Sequence, residues 1–228
     1  METLHLISNS MPLRGVSFQA LTERATAARQ AGAPEILLAE LAPTLTFGRR
    51  GPFPEDLTLS EDALRARGVS VQAADRGGRT TYHGPGQWVV FPVVPISVFS
   101  PDARAARALA AALVGALWDT ARKWSASDTA LRSTEEGPEL GLWIEDRKLG
   151  SVGFRIVDGW ITHGVSLNVF ATPLSFLGLR PCGLDAAPGF LRPAPDADFL
   201  AIGESFRNSV KARLTRPPAI LASVSVGS

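Results

Sequence analysis

Apolar residues recur with two different periods along this 228-residue chain. Phe18, Leu21, Ala25 and Ala28 fall at helical spacing and Gly32 can end the element, which predicts a helix over 18–31. The stretch Ile36-Leu37-Leu38-Ala39-Glu40-Leu41, apolar but for Glu40, predicts a buried strand, and residues 4–7 a short one. Ser60 followed by Glu61 and Asp62 predicts a short capped helix ending near Ala66. Strand-like runs at 69–74 and 88–94 flank a polar stretch at 76–87. Ser100-Pro101-Asp102 is a start signal for a helix over 102–124, whose stripe of Leu109, Leu113, Ala116, Leu117 and Trp124 belongs in a core. Strands follow at 140–144 and 148–157, joined by Glu145-Asp146-Arg147. Asp158-Gly159 is a hairpin turn leading into a strand over 160–170, and a closing helix spans 197–213. Residues 43–51, 125–139 and the Pro- and Gly-rich 181–196 read as loops, and no linker divides the chain into two folding units.

Composition narrows the class. A hydrophobic fraction of 45% is ordinary for a globular protein. Net charge is +1, from 23 basic and 22 acidic residues, so nothing global drives the chain toward nucleic acid or a membrane. No apolar run reaches the roughly 20 residues of a membrane span. The N-terminus lacks the features of a signal peptide. The single cysteine excludes an internal disulfide, and together these features point to the cytoplasm. Histidines at 5, 83 and 163 lack the spacing of zinc ligands. There is no Walker-A loop, no dinucleotide fingerprint and no Gly-x-Ser-x-Gly elbow.

The candidate chemistry is concentrated in three places. Residues Arg76-Gly77-Gly78-Arg79-Thr80-Thr81-Tyr82-His83-Gly84-Pro85-Gly86-Gln87 form a glycine-rich stretch between two apolar strands. Glycine lets backbone N–H groups approach a ligand closely, and arginine adds charge and a fork of donors. Cys182 is flanked by Pro181 and Gly183. A lone cysteine is more often an inert core residue than a nucleophile, but this one sits on a shaped loop. A reactive thiol needs a group that favours thiolate, and His83, His163 and Lys148 are the candidates. Lys148 opens a glycine-spaced strand, Lys148-Leu149-Gly150-Ser151-Val152-Gly153, where it is either a solvated cation or a partly desolvated base.

Taken together, Arg76–Gln87, Lys148–Gly153, His163–Asn168 and Pro181–Leu184 resemble, in order and spacing, the lipoyl(octanoyl) transferase family of lipoate biosynthesis. Glu40–Arg50 is similar to its N-terminal motif, and the resemblance covers roughly residues 4–215. It implies a single α+β (α/β) catalytic domain, residues 1–215, like that of the biotin and lipoate protein ligases, with a mixed β-sheet flanked by helices. Residues 216–228 would be a loose C-terminal tail. The implied reaction carries an octanoyl group from octanoyl-acyl carrier protein to a lysine of lipoyl domains, those of 2-oxoacid dehydrogenases and glycine cleavage H protein. Cys182 would hold the acyl chain as a thioester, and Lys148 would favour its thiolate and move protons. Arg76, Gly77, Gly78, Arg79, Thr80, Thr81, Tyr82 and His83, with Ser151, Val152 and Gly153 and with Gly164, Val165 and Ser166, would line the acyl site. No cofactor or metal is implied.

The thioester donor is already activated, so an ATP site is unnecessary. Backbone N–H groups at Gly77, Gly78 or Cys182 are candidate oxyanion donors. Leu41, Leu45 and Gly150 depart from the family pattern at positions bearing on acyl-chain selectivity. The rival readings are an ATP-dependent lipoate–protein ligase, which shares the Arg-Gly-Gly…His segment but needs no cysteine, and a non-catalytic paralogue that binds acyl carrier protein or lipoyl domains. Arg49, Arg50, Arg76 and Arg79 are expected to form a basic rim for acidic carrier proteins.

Overall fold

A computed structural model describes residues 7–8, 11–51, 54–98, 105–126, 129–135, 139–179, 187–192, 194–195 and 197–215. Its strands are β1 (Ile7–Ser8), β2 (Leu13–Val16), β3 (Glu35–Leu41), β4 (Thr44–Phe47), β5 (Ser70–Ala73), β6 (Thr81–His83), β7 (Gln87–Val93), β8 (Leu131–Thr134), β9 (Gly141–Ile144), β10 (Arg147–Val157) and β11 (Trp160–Asn168). Its helices are α1 (Phe18–Gln30), α2 (Glu61–Arg65), α3 (Ala105–Trp124) and α4 (Phe199–Thr215).

The main sheet runs β1-β3-β7-β11-β10-β9-β8, with β2 also paired to β3. The pairs β1–β3 and β2–β3 are parallel and the others antiparallel. Alternation sorts the side chains to two faces. Trp88, Val90, Val165 and Leu167 meet Leu109, Leu113, Leu117, Phe206 and Val210 of α3 and α4. On the opposite face Leu37, Ala39, Val89 and Phe91 meet Phe18, Leu21 and Ala25 of α1. The mixed sheet is therefore covered by helices on both faces. Ser17 caps α1 by accepting from Ala20 N at 3.1 Å, and Ser60 caps α2 by accepting from Ala63 N at 3.2 Å. Among the described residues no helix is long and apolar enough to cross a membrane.

A second sheet, β5-β4-β6, stands beside the first. It shares a small core of Leu45, Leu64, Val69, Tyr82 and Leu179. Three strands of the fold depart from the sequence-based expectation. Residues 44–47, expected as loop, form a buried strand. Residues 81–83, inside the glycine-rich stretch, form β6. Residues 131–134, inside the other expected loop, extend the main sheet as its edge strand β8. All three are three or four residues long, too short for a period to stand out along the chain, and their pairing partners hold them in place. The Asp158-Gly159 turn joins β10 to β11 with both residues at positive φ (48° and 76°), as a two-residue hairpin loop requires. The expected start signal at 100–102 and the expected tail at 216–228 lie outside the described residues.

Candidate active site

The site is a hollow created by small side chains. Ile161, Val165 and Leu167 of β11 face the α3–α4 core, so Gly164, Ser166 and Asn168 fall on the other face. Gly164 is paired with Gly153 of β10, and Ser166 with Ser151. Two adjacent cross-strand pairs thus present almost no side chain to the α1 side of the sheet. The loop 76–80 spans the gap: Gly77 N donates to Phe154 O at 3.2 Å. Between loop and sheet lies a cavity of about 680 Å³, whose walls also include Phe18, Val89, Phe91, Leu140, Val152 and Phe154. That volume suits a small-molecule ligand.

Of the residues singled out from sequence, Lys148, Arg76, Gly77, Gly78, Arg79, Thr81, His83, Ser151, Val152, Gly153, Gly164, Val165 and Ser166 all line this cavity. Thr80 and Tyr82 do not, because alternation along β6 sends Thr81 and His83 inward and Tyr82 the other way. Tyr82 lies in the small core with its ring 5.4 Å from that of Phe176, and burial pushes its phenol up to about 12. Thr80 is fully buried. Cys182 lies outside the described residues.

Arg76 is a girder of the loop, not part of a charged rim. It is 6% exposed. Its Nη1 donates to the carbonyls of Gly77 (2.9 Å) and Arg79 (2.8 Å), and its Nη2 to Thr46 O (2.8 Å) and Thr46 Oγ1 (2.7 Å). Arg79 is likewise countered, by buried Asp56 at 2.6 Å and by Glu55 at 2.9 Å. Arg49 faces Asp75 at 3.7 Å, and Arg155 pairs with the same carboxylate. Arg50 is exposed at the cavity and makes no ion pair among the described residues. The expected four-arginine rim is thereby reduced to Arg49 and Arg50.

Lys148 is only 5% exposed, with Nζ 5.4 Å from the Trp143 ring centre. A register shift between Lys148 and Gly150 bends β10 at this point, a common device for re-aiming a side chain. The lysine's backbone also holds the chain that follows Cys182: its N donates to Ala187 O at 3.0 Å, and its O accepts from Gly189 N at 2.9 Å.

Both histidines of the site are buried and neutral. Burial first, then the nearby Arg76 cation, lowers His83 to about 4, with a smaller opposing effect from its bond to Gln87. His163 is lowered to about 4 by burial, then by Arg76 and Arg155. His163 adopts φ 56°, a left-handed conformation unusual for a non-glycine residue, and thereby leaves the strand alternation to stand beside Phe18 and Phe91.

Sequence reasoning did not single out Glu40, Gln87 and Asn168 for the site, yet each is buried and organises it. Glu40 accepts from Gly86 N at 3.1 Å and from Arg14 Nε at 2.9 Å, fixing the turn after His83. Gln87 bridges His83 to Asn168. Asn168 donates to Lys148 O at 3.2 Å and Gly189 O at 3.1 Å. The signal available was a polar side chain within or ending an otherwise apolar strand, which burial forces to find partners.

The architecture is that of the lipoate and biotin protein ligases. A proposed lipoate protein ligase of T. acidophilum, solved with bound lipoic acid, superposes with a TM-score of 0.65 at 11% identity, covering 88% of this chain and 84% of that one. Lipoate-protein ligase A bound with ATP gives 0.60 at 11% identity, covering 90% and 93%. A biotin protein ligase of Leishmania major with biotinyl-5-AMP gives 0.52 at 10% identity, covering 92% and 73%. At such identities the likeness is one of fold. Residues 17–186 match the lipoyl protein ligase A/B catalytic domain, and the chain belongs to that family. Among its relatives, the octanoyltransferase of Desulfotalea psychrophila is 34% identical over 150 residues, 65% of this chain and 63% of that protein. The octanoyltransferase of Solibacter usitatus is 34% identical over 171 residues, 72% and 71% of the two chains.

Proposed function

We propose that the protein is a cytoplasmic octanoyltransferase that uses Cys182 and Lys148 to move an octanoyl group from octanoyl-acyl carrier protein to the lysine of a lipoyl domain. The 2-oxoacid dehydrogenases and glycine cleavage H protein would supply these acceptor domains. The observation that carries the reading is the cavity: a floor of glycine and serine, aromatic and aliphatic walls from Phe18, Val89, Phe91, Val152 and Phe154 beside Arg76 and His83, and the buried amine of Lys148 in its lining. Family membership and the two octanoyltransferase relatives support it.

In the first half-reaction the Cys182 thiolate attacks the donor carbonyl, the new S–C bond replaces the old one, and the carrier thiolate leaves with a proton from Lys148. One thioester replaces another, so the step is close to isoergic. In the second, the acceptor amine forms an amide, the cysteine leaves as thiolate, and the amine proton returns to Lys148. Dividing the transfer this way is covalent catalysis. Gly77 N–H is committed to Phe154 O, whereas Gly78 N–H makes no hydrogen bond among the described residues and is the better oxyanion donor. Burying an octanoyl tail contributes about 0.8 kcal/mol per CH₂, about 5 kcal/mol in all.

The test is an intact mass after incubation with octanoyl-acyl carrier protein and no ATP. A hydroxylamine-labile octanoyl adduct on Cys182, chased onto a lipoyl domain, is the expected result. Modification that requires ATP and free octanoate would instead assign the chain as a ligase.

A further inference from the structure

The strongest unused feature of the site is a chain of buried amides whose orientation is dictated from one end. Asn168 is 4% exposed, and its Nδ2 lies within hydrogen-bond distance of two main-chain carbonyls, Lys148 O and Gly189 O. A carbonyl only accepts, so the Asn168 NH₂ group must point at them and its Oδ1 away. That oxygen is 2.8 Å from Gln87 Nε2, which also donates to Tyr82 O at 3.2 Å. The Gln87 NH₂ group is therefore fixed as well, and its Oε1 faces His83 Nδ1 at 2.7 Å. An amide oxygen has no proton to give, so Nδ1 carries the hydrogen. What remains is His83 Nε2, a bare lone pair that makes no hydrogen bond among the described residues, on a residue lining the cavity.

We infer that the Asn168–Gln87 relay locks His83 in the Nδ1-protonated tautomer, so that Nε2 serves the cavity as a fixed hydrogen-bond acceptor for the N–H of the amine that receives the acyl group. His83 then touches the substrate, while Gln87 and Asn168 are positioning residues. The same relay joins the acceptor group to the Lys148 main chain, so His83 and Lys148 share one frame. The occupant rests on the acyl-transfer reading above; the tautomer does not. The charged and titratable groups facing His83 are Arg76 from the loop and His163 from β11; Gln87 of β7 is neutral, and α1 contributes only the Phe18 ring, stacked at 6.2 Å.

Long-range ¹H–¹⁵N spectra of the full chain at pH 7 test the first part, with His83→Gln assigning the signal among only three histidines. The expected spectrum is neutral, with Nδ1 protonated and Nε2 bare. An Nε2-protonated ring or an imidazolium overturns the inference. In Asn168→Ala the ring should become a mixture of tautomers; an unchanged spectrum overturns the relay. Should that variant not fold, Gln87→Glu replaces it: a carboxylate beside Nδ1 favours imidazolium and should add an acid limb to the rate profile near neutral pH. A profile superimposable on wild type overturns the relay. For the occupant, single-turnover rates of His83→Gln are compared in the two half-reactions. Transfer to a lipoyl domain should slow about 30-fold more than acylation does. Equal slowing of both overturns the assignment to the amine. A wild type that forms no acyl adduct overturns the functional reading, and the tautomer result still decides the relay.

Discussion

Gly153 and Gly164 are direct partners across β10 and β11, yet alanine should have very different consequences at the two positions. A β-carbon on Gly164 would stand 2.2 Å from Val90 O and 2.6 Å from Pro92 Cδ. Both belong to β7, the adjacent central strand, and cannot swing aside as a flexible side chain would. Relief requires β11 to move off β7. Overpacking of this kind costs about 1–3 kcal/mol, and a backbone obstacle places Gly164→Ala at about 3 kcal/mol. At Gly153 the β-carbon would meet Arg76 Cδ and Gly77 O, each at 3.3 Å, a contact that a shift of a few tenths of an ångström relieves. Replacing a strand glycine by alanine also gains about 0.5–1 kcal/mol of backbone entropy. Gly153→Ala should therefore lie within about 1 kcal/mol of wild type. At about 2–4 °C per kcal/mol for a protein of this size, a difference of about 2–4 kcal/mol should separate the two variants in Tm by about 4–16 °C. Thermal melts and urea titrations read this directly. Equal midpoints for the two alanines would refute the claim that sheet packing, not loop packing, demands Gly164. Gly153→Ala should in addition raise KM for the acyl donor, because its methyl group projects toward the loop across the cavity.

Lys148→Met keeps most of the buried side-chain volume but removes the proton carrier; transfer should fall about 10²–10⁴-fold with the fold intact by circular dichroism. Stability should decline as the solution is acidified from about pH 6.5 toward pH 4. His83 and His163 are neutral in the fold and depressed to about 4, so the unfolded chain binds more protons in that window. Urea unfolding at pH 5 and pH 7.5 should show the loss, and the double substitution to glutamine should shrink it; a slope that survives substitution refutes the attribution. Charge reversal at Arg49 and Arg50 should slow transfer from the carrier protein and flatten its salt dependence, measured as initial rates against ionic strength. Asn168→Ala removes two donated hydrogen bonds and one accepted bond, at about 2–4 kcal/mol, seen as a shift in the urea midpoint.

Elements that carry their own period or punctuation are legible along the chain. The apolar spacing of Phe18, Leu21 and Ala25 and the stripe from Leu109 to Leu117 each specify which face is buried, and the run at 36–41 specifies a strand buried on both faces. Asp158-Gly159 specifies the hairpin that sets β10 against β11, and hence the pairing of Gly153 with Gly164. The motif spacing was enough to indicate the family, because the motifs lie in order at characteristic separations. Other features come only from contacts between distant segments. The strands at 44–47, 81–83 and 131–134 are too short for a period to declare them and are defined by the strands they pair with. A single strand of three residues then determines that His83 enters the cavity and Tyr82 leaves it. Arg76 reads in sequence as a cation offered to a ligand, but the carbonyls it holds come from residues up to 30 positions away. The orientation of His83 depends on carbonyls contributed by positions 148 and 189. Hydrogen-bond direction is a property of groups brought together by folding, so a one-dimensional pattern carries the residue types of this site but not which atom donates to which.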